Sequence, residues 1–259
     1  MHAWTVVPLE RGLREHSATW DRLRRHQFRD NPFLDSLFVD ALLHHFADGS
    51  ERLCILGSLH EPRAMCILRP RNRLVWESFL PPQAQIGPSL LKDPAAALQL
   101  LRALPFPAGE LHVLCNDPDF GDLSDADNRK RETRDHALTM NIDLSGSFED
   151  YWDSRPRKLV QNMRLYERRL AGAGMAARFV HIDAPDDLQA AVGRYGDLES
   201  AGWKGRNGTA IGACNAQGHF YLDVMRRFAG MQGAEVHELW LGETLAASRL
   251  TVASGATLV

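Results

Sequence analysis

Apolar positions along the chain switch repeatedly between the two spacings that distinguish helices from strands. AWTVVPL opens the chain as a short strand, and Ser17 is placed to cap a helix over SATWDRLRRHQ. Pro32 opens a second helix, PFLDSLFVDALLHHFA, which is apolar nearly all round and is therefore expected to be buried on more than one side. RLCILGS and RAMCILRP read as two strands joined through the breakers His60, Glu61 and Pro62, and LVWESF reads as a third. The loop PPQAQIGPSLLKDP, a helix over AAALQLLRALPF and a strand at ELHVLC follow.

NDPDFGDLSDADNRKRETRDH has no apolar period, which predicts an exposed, charged connection and divides the chain into halves at 1–136 and 137–259. In the second half ALTMNIDL has strand spacing. Ser147 and Asp150 form an S-x-x-D start signal for a helix at FEDYWDS. A basic helix, RKLVQNMRLYERRL, ends at Gly172 and Gly174. The strand MAARFVHI, the helices DDLQAAVGRYGDLESAGWKG and GHFYLDVMRRFAG, the strand VHELWL, the turn GET and the strand run LAASRLTVASGATLV complete the order. FADGSERLCILGSLHEPRAMCIL and FAGMQGAEVHELWLGETLAASRLTV share one layout of helix, glycine spacer, strand, turn and strand, a weak internal repeat that points to a duplicated α/β unit. The expected fold class is α/β (α+β).

Composition narrows the function classes. With 44% hydrophobic and 24% charged residues the chain is globular, and a net charge of -3 gives no whole-protein positive field to attract nucleic acid. Cys54, Cys66, Cys115 and Cys214 form no C-x-x-C pair, and the first three lie in apolar runs, as free thiols do in a reducing compartment. No secretory leader and no apolar run of roughly 20 residues is present, so a cytoplasmic protein without a membrane span is expected. The eleven histidines show no H-E-x-x-H spacing, and neither a G-x-S-x-G elbow nor a dinucleotide fingerprint occurs. Hydrolase, dehydrogenase and metalloenzyme readings lose support, and no metal is expected.

Three places could carry chemistry. At about 100° per residue, Leu188, Val192 and Tyr195 share one helical stripe with Glu199 in its centre, while Asp197 points away. A carboxylate on an apolar face is either a general base or a group satisfied by a backbone N–H or an arginine. GWKGRNGTAI follows directly, offering Trp203 as an aromatic plate, Lys204 as a cation and Gly205 among the glycines that let a loop approach a ligand. The alternative there is a helix end with a tryptophan covering the core. In the basic helix, Leu159, Met163, Tyr166 and Leu170 form the apolar stripe, with Arg157, Arg164 and Arg168 opposite. Lys158, Asn162 and Arg169 flank it, where they either meet an anionic ligand or stay solvated.

SFEDYWDSRPRKLVQNMRLYERRL, YGDLESAGWKGRNGTAI, FYLDVMRRFA and LWLGETLAASRLTVASGATLV, in that order, resemble the acetyltransferase domain of CelD-type, cellulose-biosynthesis-like proteins of the GNAT superfamily. These are related to the Fem-type transferases, which are built from two GNAT-like halves. The resemblance is carried by the second half; the first matches in layout, best at NPFLDSLFVDALLHHFA. It implies two GNAT-like mixed-sheet halves, acetyl-CoA or another acyl-CoA as donor, and an amine or hydroxyl acceptor such as a sugar or exopolysaccharide precursor. Glu199 and Trp203 to Gly205 match the family's LE…GWKG motif, which implies a place at the active cleft and offers Glu199 as the base.

Two alternatives stand beside this reading. One is a Fem-like transferase using aminoacyl-tRNA, against which no helical coiled-coil arm is present. The other is a non-catalytic partner in an exopolysaccharide-synthesis machinery. Because LAASRLTVASGATLV ends in an apolar β-run, the second half is expected to be incomplete at its C-terminus and to lack the Gly-containing loop and helix N-terminus that hold the donor pyrophosphate.

Overall fold

The computed structural model describes residues 3–28, 30–105, 108–116, 131–202, 211–212 and 215–259. In the first half β1 (Trp4–Pro8), α1 (Ser17–Gln27), α2 (Ser36–Phe46), β2 (Arg52–Gly57), β3 (Pro62–Pro70), β4 (Val75–Ser78), β5 (Ser89–Leu90), α3 (Pro94–Ala103) and β6 (Glu110–His112) follow one another. The second half contains α4 (Phe148–Asp153), α5 (Arg157–Gly172), β7 (Ala177–Ile182), α6 (Pro185–Ala201), α7 (Ala216–Ala229), β8 (Ala234–Leu241), β9 (Thr244–Ser254) and β10 (Thr257–Leu258). The architecture is α/β, as the apolar spacing predicts, and it has two sheets, as the resemblance implies.

One sheet has the order β1-β2-β3-β4-β6 with β5 also on β3, and within it only β4 and β6 run parallel; the other has the antiparallel order β10-β9-β8-β7. The internal repeat is longer than the sequence comparison indicates. Among the described residues a strand, two α-helices and an antiparallel strand pair, β1-α1-α2-β2-β3, recur as β7-α6-α7-β8-β9. The repeats meet through their second helices. Phe220 of α7 packs edge-on against Phe38 at 5.7 Å and tilted against Phe46 at 5.2 Å, and His45 pairs with Asp223 at 3.1 Å. One apolar cluster therefore runs through both halves, from Trp20, Leu42, Leu53 and Met65 to Leu188, Phe220, Val224 and Val252.

A buried polar hub ties the same seam. Asp35 accepts the Leu37 N–H as the α2 cap, binds the guanidinium of the buried Arg24 at 2.8 Å, and accepts the Ser254 hydroxyl from the end of β9 at 3.1 Å. One carboxylate thus closes a helix, neutralises a buried cation and joins the two sheets' supports.

Three local expectations change. Ser17 is not the α1 cap: a 3₁₀ turn at Arg14–His16 feeds the helix, so Ser17 is already helical and its hydroxyl turns to Asp40 at 3.4 Å. ALTMNIDL forms no strand. Its apolar side chains are exposed, Leu138 at 91%, because among the described residues no strand edge pairs with it. The run LAASRLTVASGATLV is not one strand, since Gly255 takes a φ of 55° and turns β10 back on β9, where Val252 and Val259 exchange two backbone hydrogen bonds of 3.0 Å. The S-x-x-D signal does form its cap, with Ser147 accepting the Asp150 N–H at 3.1 Å. No helix among the described residues is long and apolar enough to cross a membrane.

Candidate active cleft on helix α6

Helix α6 is started by Pro185 in its first turn with Asp186 and Asp187 beside it, which suits the positive end of the helix dipole. Leu188, Ala191, Val192 and Gly196 are buried, and Asp197 is exposed, in agreement with the angular reading. Gly196 allows a close approach: a Cβ there would stand 2.7 Å from the carbonyl oxygen of Ile211. One turn further on, Glu199 accepts the Ile211 N–H at 2.8 Å. Ile211 is thus bonded to α6 through its N–H, and its carbonyl lies close against Gly196. Gly218 in α7 allows a similar approach, because a Cβ there would overlap the Gly212 carbonyl. Trp203, Lys204 and Gly205 lie outside the described residues.

Beside this anchor an open cleft is lined by Arg194, Asp197 and Leu198 of α6, Trp240 of β8 and Leu245 of β9. Behind it stands Glu238, 1% exposed. One of its carboxylate oxygens accepts from Arg194 Nε at 2.8 Å and the other from the Trp240 indole N–H at 2.9 Å. Both oxygens being occupied, Glu238 orients two lining side chains. The cleft therefore offers a fixed cation, an aromatic wall and, in Asp197, a carboxylate open to solvent.

Sequence reasoning missed Arg194, Glu238 and Trp240. A signal for Glu238 exists in AEVHELWL, whose alternation puts it on the same face as Ala234 and Val236. A carboxylate in that row needs a partner, but nothing local names Arg194 as the one. Lys158, Asn162 and Arg169 all lie on α5, with Lys158 and Arg169 exposed and Asn162 half-buried. None of the three lines the α6 cleft, and α5 makes no more than isolated contacts with other described elements. Their predicted apolar stripe is exposed as well, including Leu159, Met163 and Tyr166.

No curated protein and no solved structure matches the chain. Residues 157–259 match the family model of the acetyltransferase (GNAT) domain. The match begins at α5 and takes in both walls of the cleft, Glu199 and the whole second sheet, so the chain from Arg157 onward aligns with a GNAT acetyltransferase domain.

Proposed function

We propose that this protein is an acyl-CoA-dependent N- or O-acyltransferase of the CelD type, acting in the cytoplasm on an amine- or hydroxyl-bearing small molecule or glycan precursor. The observation that carries the reading is the coincidence of the GNAT match with the α6 cleft and its pre-oriented Arg194 and Trp240. An acceptor with several hydroxyls or an amino group suits a cleft that presents a cation, a carboxylate and an aromatic wall. In the reaction the acceptor N or O attacks the thioester carbonyl of the acyl-CoA. A carboxylate takes the acceptor proton, the C–S bond breaks, and the proton ends on the departing CoA thiolate.

Glu199, which anchors Ile211 near the end of α6 and is not one of the residues lining the cleft, is the proposed base, and its bond to Ile211 gives a way to separate chemistry from anchoring. Glu199→Gln keeps an oxygen for the Ile211 N–H and loses the ability to take a proton. Glu199→Ala loses both. With CoA release from acetyl-CoA followed chromatographically across amine and amino-sugar acceptors, Glu199→Gln should lower turnover roughly 100-fold at unchanged melting temperature. Wild-type turnover across pH in Glu199→Gln would make the residue an anchor alone and leave Asp197 as the carboxylate facing the cleft.

A further inference from the structure

Chain topology brings three potential metal ligands together on the face of the second sheet that α6 and α7 do not cover. His181 of β7 and His237 of β8 are register partners, and Glu235 precedes His237 by two residues, so all three side chains share a face. Glu238 has the opposite parity and belongs to the cleft side. The two imidazoles lie near-parallel, with centroids 5.1 Å apart and an interplanar angle of 15°. Nε2 of His181 is 3.4 Å and Nε2 of His237 is 3.2 Å from the same Glu235 oxygen. All three donor atoms fall within 4.8 Å of one another.

Those separations have a meaning for coordination. A tetrahedral ion held at 2.0–2.1 Å from each ligand spaces neighbouring ligand atoms about 3.3 Å apart. Two of the three edges already have that length, and rotation of the exposed His181 ring shortens the third. A single carboxylate oxygen shared by two imidazoles gives neither a short hydrogen bond, whereas a dication between them engages all three groups. We propose that His181, Glu235 and His237 form a binding site for a divalent transition ion, zinc being the best suited to two imidazoles, one carboxylate and an open fourth position.

The surroundings define what kind of site it is. Phe179 stacks on His237 at 5.7 Å and 17°, shielding one side of that ring. Nδ1 of His237 is shut off from solvent with no hydrogen-bond partner among the described residues, so this ligand lacks the outer hydrogen bond that raises affinity in tight sites. Arg249 stands opposite His237 on β9 and adds an opposing charge. An exchangeable ion follows, one that ties the strand β7 at the sheet's edge to β8 and leaves a coordination position facing outward. The inference is independent of the acyl-transfer reading, because it lies on the other face of the sheet and is read out without activity.

The expectation that no metal is involved rests on local ligand spacing, and here the ligands come from two strands far apart in sequence, with α6 and α7 between them. The test is calorimetric titration of the chelator-treated, tag-free protein with zinc, together with the visible absorption of its cobalt(II) form. One equivalent of zinc should bind, cobalt should give the bands of a four- or five-coordinate site, and thermal stability should rise with zinc. His181→Ala, His237→Ala and the conservative Glu235→Gln should each weaken binding at least about tenfold while keeping the zinc-free circular dichroism spectrum. His112→Ala, in the separate His112–Glu110 pair of the first sheet, should bind as wild type. Absence of saturable one-to-one binding, or binding that survives Glu235→Gln and both histidine variants, overturns the site.

Discussion

The two repeats share a topology and differ in what covers their sheets. In the first, Leu53, Ile55, Met65 and Ile67 join the central cluster, while Cys54, Cys66 and Leu68 on the opposite face pack with Trp76, Leu100 and Leu104. In the second, Ala234, Val236 and Glu238 are buried in β8, and Glu235, His237 and Leu239 between them reach an uncovered surface. A sheet closed on both faces has little room for unpaired chemistry. The second sheet, closed on one face, keeps a paired carboxylate beneath its cleft and a histidine–carboxylate cluster outside. One topology thus gives a sheet packed on both faces and a sheet packed on one.

The comparison fails if the repeats are independent bodies, and Asp35 tests that most severely. Asp35→Ala removes the α2 cap, leaves Arg24 buried with the longer pairings to Asp21 at 3.6 Å and Asp30 at 3.9 Å among the described residues, and frees Ser254. The expected loss is about 3–5 kcal/mol in urea unfolding, taken from one cooperative transition that circular dichroism and tryptophan fluorescence report alike. Two separate transitions, with only one displaced, would mean that the shared core does not couple the repeats.

Matched leucines sharpen the contrast between the outer faces. Leu68, buried against the first sheet's second layer, should cost about 2–4 kcal/mol when changed to Ala, whereas Leu239→Ala on the open face should cost less than about 1 kcal/mol. Equal losses by the same denaturation measurement would show that the open face is covered in solution.

This difference was partly legible in the residues. LCIL at the centre of β2 is apolar throughout, as a strand covered on both sides must be, and AEVH at the start of β8 alternates, as a half-covered strand does. Periodicity names the face a side chain takes and not the neighbour it meets. It located α6 and its stripe, but Arg194 meets Glu238 only after α6 crosses β8, and His181 meets His237 only once the β7–β8 register is set. The same limit explains ALTMNIDL, whose alternation fits a strand while no edge among the described residues receives it. The Lys158, Asn162 and Arg169 set was read from one helix's geometry, and nothing within that helix determines what it packs against.

The smallest expected effect concerns the seam between the repeats. His45 of α2 faces Asp223 of α7, which Arg227 also holds at 2.9 Å. Burial pushes the His45 imidazole below its ordinary 6.5; the Asp223 carboxylate opposes that shift, and His44 and Arg227 add to it. Burial would raise Asp223, but hydrogen bonds and charge from Arg227 and His45 hold it below the usual carboxylate value, so its contribution is lost only at much lower pH. Because folded His45 resists protonation, the unfolded chain takes up that proton first. The stability it contributes is complete above 6.5 and drains away as pH falls through 6.5 toward the depressed folded value. His45→Gln, which keeps a polar tip near Asp223 without titrating, should therefore show a shallower loss of melting temperature between about pH 7.5 and 5.5 than wild type. The effect should be smaller than either leucine or aspartate substitution at the buried positions, since His45 is only partly buried and its carboxylate partner opposes the effect of burial. Parallel melting curves for the two proteins across that range would remove His45 as the titrating element of the seam and leave the coupling of the repeats to Asp35 and the phenylalanine contacts.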